Sequence, residues 1–126
     1  MTQQPTKPEI NFPDGPAPDD LVITDLVVGG GAEATKGSAV SVHYVGVTHS
    51  GGEEFDASYN RGEPLQFRLG VGQVIAGWDD GVQGMKVGGR RQLVIPAHLA
   101  YGDRGAGGVI GPGETLIFVV DLVNVG

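Results

Sequence analysis

The chain has 126 residues, enough for one domain with a sizeable core. It contains no cysteine, which excludes disulfides and thiolate chemistry. Eight basic residues stand against 15 acidic ones, and the net charge of −7 without a basic patch argues against nucleic-acid binding.

The first 20 residues predict a flexible, partly extended tail, because they are proline-rich and have no apolar period. The N-terminus also lacks a basic segment followed by an apolar one. No apolar run approaches the roughly 20 residues of a membrane span. We therefore expect a cytoplasmic protein without membrane contacts, with one folded domain over residues 21–126.

Five runs after the tail predict strands, either by alternation of apolar and polar residues or by their density of β-branched residues. A short extended piece near Phe55 follows the turn-like sequence HSGGEEF. Short loops between neighbouring runs favour antiparallel pairing. The five runs are 21–28, 38–47, 64–69, 90–96 and 115–125.

One helix is predicted between the runs 64–69 and 90–96. Ile75, Trp78, Val82 and Met85 are spaced 3, 4 and 3 apart, as one helical stripe requires. Three glycines interrupt the stripe, and each costs about 1 kcal/mol relative to alanine. Packing must therefore hold this helix, with Trp78 as its main anchor. The predicted fold class is α+β, a twisted antiparallel sheet of five or six strands with one short helix on its apolar face.

The sequence lacks the residues that metal, covalent and phosphate chemistry require. The histidines at 43, 49 and 98 never reach HxxxH or HxH spacing, so we expect no metal site. No GxSxG serine and no P-loop lysine is present. We therefore expect no cofactor.

Most of the eight aromatic residues fall on one side of the predicted sheet. Two interpretations remain open, since they could form the hydrophobic core or line a small apolar pocket with a few polar groups. Tyr44 and Tyr101 favour the pocket, because a buried hydroxyl needs a partner. Asp56 could be that partner, although a carboxylate beside an apolar run is usually solvated. The aromatic set is Tyr44, Phe55, Phe67, Trp78, Tyr101 and Phe118.

Several blocks of the sequence resemble the FKBP-type peptidyl-prolyl cis-trans isomerases. The resemblance covers about residues 21–125 and leaves only the proline-rich tail outside. It implies a strongly twisted antiparallel sheet wrapped around one short helix, and rotation of X–Pro bonds without a covalent intermediate. The blocks are HYVG (43–46), EFDAS (54–58), VIAGWDDGVQGMKVGGRRQLVIP (74–96), LAYG (99–102) and TLIFVVDL (115–122).

By position, the resemblance also implies a prolyl-binding pocket with Trp78 as its floor. The backbone N–H of Ile75 and the hydroxyl of Tyr101 would donate hydrogen bonds to ligand carbonyls. Asp56 would lie at the mouth, held by the Tyr44 hydroxyl and Arg61. Macrolides such as FK506 and rapamycin would occupy the same pocket. The implied walls are Tyr44, Phe55, Phe67 and Phe118, the implied rim is Val74, Ile75, Tyr101 and Ile110, and the implied catalytic group is Tyr44, Asp56, Tyr101 and Phe118.

Two positions depart from the family pattern. Leu65 stands where an aromatic wall is common, and the glycine-rich loop 102–114 carries Ala106-Gly107 where bulkier tips often occur. We expect a mobile loop and a smaller rim that alter substrate selectivity and macrolide affinity while the pocket itself persists.

Three functional hypotheses follow. The first is an isomerase acting on flexible X–Pro segments of client proteins, the second is a peptide-binding or chaperone module with little turnover, and the third is a purely structural domain. The first is favoured because Tyr44, Asp56, Trp78, Tyr101 and Phe118 are all present. Since no oligomerisation signal is visible, we expect a monomer.

Overall fold

The computed structural model describes residue 10, residues 16–105 and residues 110–125. Most of the predicted tail over residues 1–20 therefore lies outside the described residues, as does the predicted mobile loop tip at Ala106-Gly107. None of the described helices has the length and apolarity that a membrane span requires.

Six strands form one antiparallel sheet, as the alternating sequence runs predict. The order across the sheet is β1-β5-β6-β2-β3, and β4 pairs with the first half of β2. The long strand β2 therefore has β6 on one side and both β3 and β4 on the other. The strands are β1 Val22–Val27, β2 Ala39–Thr48, β3 Glu54–Ala57, β4 Leu65–Arg68, β5 Arg90–Ile95 and β6 Leu116–Val125.

Among the described residues there is one α-helix, α1, which spans Ala76–Gly81 and is shorter than the predicted stripe. Val82 ends it as the C-cap, and Gly84 turns the chain with a φ of 90°, a left-handed conformation that favours glycine. Trp78, Val82 and Met85 are nevertheless all buried. The stripe therefore marks a buried face that continues beyond the helix. Two 3-10 turns, Ser58–Asn60 and Ala97–Leu99, complete the regular structure.

The glycines of α1 let the helix approach the sheet. A Cβ atom added at Gly77 would lie 2.7 Å from Ile95 Cδ1, and one added at Gly81 would lie 2.8 Å from Leu93 Cδ2. Both distances are too short for carbon atoms in van der Waals contact. The residues that weaken the isolated helix are thus required by its packing on β5.

The central strands β2 and β6 are buried on both faces, whereas the edge strand β1 is exposed. Val40, Val42 and Tyr44 of β2 point to the core under α1, which we call the helix face. The alternate residues of β2 point to the other side, the outer face, where Val45 and Val47 belong to two small apolar clusters. Ile10, from the predicted tail, packs against both clusters. At least one side chain of that segment is therefore attached to the domain.

Candidate active site

A cavity of about 430 Å³ opens between α1 and the helix face of the sheet. Its size lies within the range of pockets that bind small ligands, roughly 300–1,000 Å³. Elements distant in sequence supply its walls, including β2, β3, β4, β6 and the segment that leads into α1. The lining residues are Tyr44, Phe55, Asp56, Leu65, Gln73, Val74, Ile75, Trp78, Tyr101 and Phe118.

Trp78 forms the floor of this cavity. Only 4% of the residue is exposed, and three aromatic rings surround its indole. Tyr44 and Phe118 meet it edge-to-face at centroid distances of 4.9 and 5.2 Å, and Phe67 packs at 5.8 Å. The indole Nε1 is buried and has no hydrogen-bond partner among the described residues. Since that nitrogen has almost no accessible area, the part of Trp78 that faces the cavity is its carbon surface.

For part of the aromatic set, both interpretations hold: the residues belong to the hydrophobic core and also line the pocket. Tyr44, Trp78 and Phe118 are at most 5% exposed and belong to the main hydrophobic core, yet they also line the cavity. One aromatic cluster therefore serves as core on its inner side and as pocket surface on its outer side.

The wall formed by Phe55 and Phe118 depends on a glycine in β2. The two rings meet edge-to-face at 5.4 Å. A Cβ atom at Gly46 would lie 2.6 Å from Phe55 Cζ and 2.9 Å from Phe118 Cδ1. Glycine at this strand position makes room for both rings, which accounts for its place in the block HYVG.

The polar groups at the mouth form a three-membered network, as the family resemblance implies. The Tyr44 hydroxyl donates a hydrogen bond to Asp56 Oδ2. Arg61 donates to Asp56 Oδ1 at 2.7 Å and to the Tyr44 hydroxyl oxygen at 2.8 Å. Asp56 and Arg61 come from β3 and the turn after it, so a short stretch of chain reaches across to Tyr44 on β2.

This network keeps Asp56 ionised. Partial burial alone would raise the pKa of Asp56, but the hydrogen bonds from Tyr44 and Arg61 and the positive charge of Arg61 lower it below its ordinary value. The hydrogen bonds to Tyr44 and Asp56 in turn raise the pKa of the Arg61 guanidinium. The mouth therefore presents a fixed carboxylate at neutral pH.

Two hydrogen-bond donors lie at the cavity. The Tyr101 hydroxyl and the Ile75 N–H make no hydrogen bond to any described residue. Tyr101 is 39% exposed, and burial together with the nearby Asp56 charge raises its pKa, so its hydroxyl keeps the proton. Both groups are available to carbonyl oxygens of a ligand.

Three residues predicted for the site are not among the described residues that line the cavity. Arg61 lies at the mouth behind Asp56, which it pairs with. Phe67 is buried against Trp78, and Ile110 is buried in the main core cluster.

Gln73 lines the cavity and was not predicted. Its side-chain Oε1 accepts a hydrogen bond from the Arg68 N–H at 2.7 Å, which fixes the carboxamide beside β4. The sequence signal available was weak, because Gln73 is only a polar residue directly before the block that begins at Val74.

Comparisons with known proteins agree with this fold. The family model described as FKBP-type peptidyl-prolyl cis-trans isomerase matches residues 30–123. An FK506-binding protein of Streptomyces anulatus is 72% identical over 120 residues, covering 94% of this chain and 97% of that relative. A probable FK506-binding protein of Corynebacterium glutamicum is 56% identical over 118 residues, covering 94% of this chain and 98% of its own length.

Solved structures show the same similarity. The crystal structure of AtFKBP13 superposes with a TM-score of 0.78 at 47% identity, covering 87% of this chain and 96% of that one. FkpA from Escherichia coli gives a TM-score of 0.75 at 45% identity, over 83% of this chain and 47% of that one.

The fold and site thus define an isomerase of peptide bonds that precede proline. This chain belongs to the FKBP-type peptidyl-prolyl cis-trans isomerase family, which confirms the first of the three functional hypotheses.

Proposed function

We propose that the aromatic cavity is the place where this isomerase binds an X–Pro segment and allows its amide to rotate. One observation carries the proposal: an apolar cavity floored by the carbon surface of Trp78 has two donors, the Ile75 N–H and the Tyr101 hydroxyl, that have no partner among the described residues. A proline ring is apolar and needs no hydrogen bond, whereas the carbonyls that flank it need donors.

An apolar cavity of this kind can lower the barrier to rotation without reacting. The barrier is about 20 kcal/mol, because rotation breaks the resonance that makes the amide planar. The planar amide is charge-separated and is poorly solvated by an apolar surface, whereas the twisted amide is less polarised. For each 1.4 kcal/mol or so by which the cavity stabilises the twisted amide more than the planar one, the rotation rate rises about tenfold.

The residues of the cavity take separate parts in this mechanism. The indole of Trp78 and the rings of Tyr44 and Phe118 would hold the proline ring. The Ile75 N–H and the Tyr101 hydroxyl would hold the flanking carbonyls, so that the intervening bond turns while its ends are fixed. No bond to the protein forms.

Asp56 acts in this proposal by charge and orientation. Its lowered pKa makes it a poor proton donor at neutral pH, and its two partners hold it in one place. Its carboxylate would orient Tyr44 and provide a fixed field at the mouth of the cavity.

The same cavity would bind macrolides. The relatives with high identity are FK506-binding proteins, and the residues that line the cavity here match the implied floor and most of the implied wall. We propose that FK506 and rapamycin occupy this cavity and compete with proline-containing segments of flexible client proteins.

One titration tests the proposal, because Trp78 is the only tryptophan in the chain and its fluorescence reports on the cavity floor. The cis-to-trans rate of a short X–Pro peptide is measured with the protein while FK506 is added. We expect acceleration that FK506 abolishes at one equivalent, with a change in Trp78 emission at the same stoichiometry. Acceleration that persists with FK506 in excess, or inhibition without a change in Trp78 emission, would contradict the proposed site.

A further inference from the structure

Tyr44 is held at both ends by one short stretch of chain. Asp56 and Arg61 bind its hydroxyl at the cavity mouth. Ser58, between them in sequence, binds its backbone: the Ser58 Oγ accepts a hydrogen bond from the Tyr44 N–H at 2.7 Å and lies 3.3 Å from the Tyr44 carbonyl oxygen. Ser58 has no exposed surface. Residues 56–61 therefore hold Tyr44 by both its hydroxyl and its main chain.

His43 fixes the orientation of the Ser58 hydroxyl. It precedes Tyr44 on β2 and points to the outer face, where it is 2% exposed and its Nδ1 lies 2.8 Å from Ser58 Oγ. Burial lowers the pKa of His43, against a smaller opposing effect of the Asp121 charge, so the imidazole is neutral at neutral pH. In one tautomer of the neutral imidazole Nδ1 accepts the Ser58 hydroxyl proton, and in the other Nδ1–H donates to Ser58 Oγ, whose own proton then goes to the Tyr44 carbonyl oxygen. In both tautomers, the Ser58 oxygen accepts from the Tyr44 N–H.

Further residues hold His43 in turn. The imidazole stacks on the Tyr59 ring at a centroid distance of 4.7 Å and an angle of 20°. The Tyr59 hydroxyl donates to Asp121, which also accepts from Arg90 Nε at 2.8 Å. Tyr59 belongs to this network but makes no hydrogen bond to Tyr44.

We propose that Ser58 and His43 are positioning residues for the isomerase reaction, which set the Tyr44–Asp56 pair at the cavity mouth by fixing the Tyr44 main chain. The proposal rests on the proposed function of the cavity. Neither residue lines the cavity, so each acts through Tyr44. A small displacement of a group that orients the substrate is enough to slow a reaction markedly.

The first test compares Ser58→Ala with Tyr59→Phe. Both variants remove one hydroxyl from the same buried network, but only Ser58→Ala releases the Tyr44 main chain. We expect kcat to fall about fivefold in Ser58→Ala, the effect of losing roughly one hydrogen bond. We expect its KM to change less than about twofold, because the apolar floor at Trp78 is intact. Tyr59→Phe should keep the wild-type kcat.

The second test uses His43 and does not depend on the folding of Ser58→Ala. His43→Asn keeps a polar atom near the position of Nδ1, whereas His43→Leu removes it. We expect His43→Leu to lose kcat about as much as Ser58→Ala does, and His43→Asn to recover most of the loss.

All rates are compared at a temperature where near-ultraviolet circular dichroism shows each variant to be folded. The proposal is overturned if folded Ser58→Ala matches Tyr59→Phe in kcat, or if His43→Asn and His43→Leu are equally active. Every rate is compared with that of the wild type. A wild type that does not accelerate X–Pro rotation would therefore contradict the proposed function of the cavity, and not the positioning roles of Ser58 and His43.

Discussion

Two aspartates show how neighbouring residues decide what a carboxylate does. Asp56 and Asp25 both pair with an arginine, at 2.7 and 2.6 Å, and their side chains are 42% and 43% exposed. Asp25 ties β1 to Arg91 of β5 and is remote from the cavity. Asp56 has an additional tyrosine partner and lines the cavity. An aspartate–arginine ion pair is therefore structural at Asp25, whereas at Asp56 a pair of the same kind lies at the candidate site.

We predict that Asp56→Ala loses activity only in part. If the carboxylate orients Tyr44 and provides charge, its removal should lower kcat/KM by about tenfold or less, the effect of one charged hydrogen bond. The control, Asp25→Ala, should stay within about twofold of wild-type activity, since it removes a carboxylate of similar exposure that does not line the cavity. A complete loss of activity in Asp56→Ala, or equal losses in both variants, would contradict the orienting role.

Individual site residues were predictable to different degrees. Period-two alternation put Tyr44 on the helix face of β2, and the need of a buried hydroxyl for a partner made Asp56 a candidate, but only the family resemblance added Arg61. The alternation also put His43 on the opposite face. It could not show that the turn at Ser58–Asn60 covers that face and buries the imidazole, because that contact joins residues far apart in the chain.

At the scale of elements, α1 is held by packing that local propensity does not describe. The helix has six residues, and the two glycines at 77 and 81 face β5. An exposed helix would gain about 1 kcal/mol from a change of glycine to alanine. Here the added methyl group would collide with Ile95, a β-branched side chain with few alternative rotamers.

We therefore predict that Gly77→Ala destabilises the protein by about 1–3 kcal/mol, the usual cost of an extra methyl group in a packed core. The free energy of unfolding is measured by urea titration. Gly30→Ala is the control, because a Cβ atom there would meet nothing within 4 Å. A stabilised Gly77→Ala variant would show that propensity outweighs packing at this helix.

The elements themselves were largely predictable, and their ends less so. All six strands fall within or close to the predicted runs, because alternation is a local property of the sequence. The helix ends earlier than the apolar stripe predicts. Val82 and Met85 are buried without being helical, since Gly84 turns the chain while leaving both side chains in the core.

The whole molecule depends on pairings that local patterns cannot predict. Strand β2 pairs with three other strands, and the first strand pairs with the fifth. That order was not predicted, because pairings such as β2 with β6 and β1 with β5 join segments that are far apart in the chain. The packing of Ile10 on the outer face is likewise a long-range contact within a segment predicted to be a tail. A monomeric state and a cytoplasmic location stay predictions.

The central claim is that X–Pro rotation takes place against the indole of Trp78. An NMR spectrum recorded while the protein catalyses the rotation tests this claim directly. A short X–Pro peptide is mixed with a small amount of the protein, and a two-dimensional exchange NMR spectrum is recorded. It reports both the cis–trans exchange rate and the contacts made by the proline ring. We predict accelerated exchange together with cross-relaxation between proline ring protons and the indole of Trp78. Accelerated exchange without any such contact to Trp78 would contradict the claim.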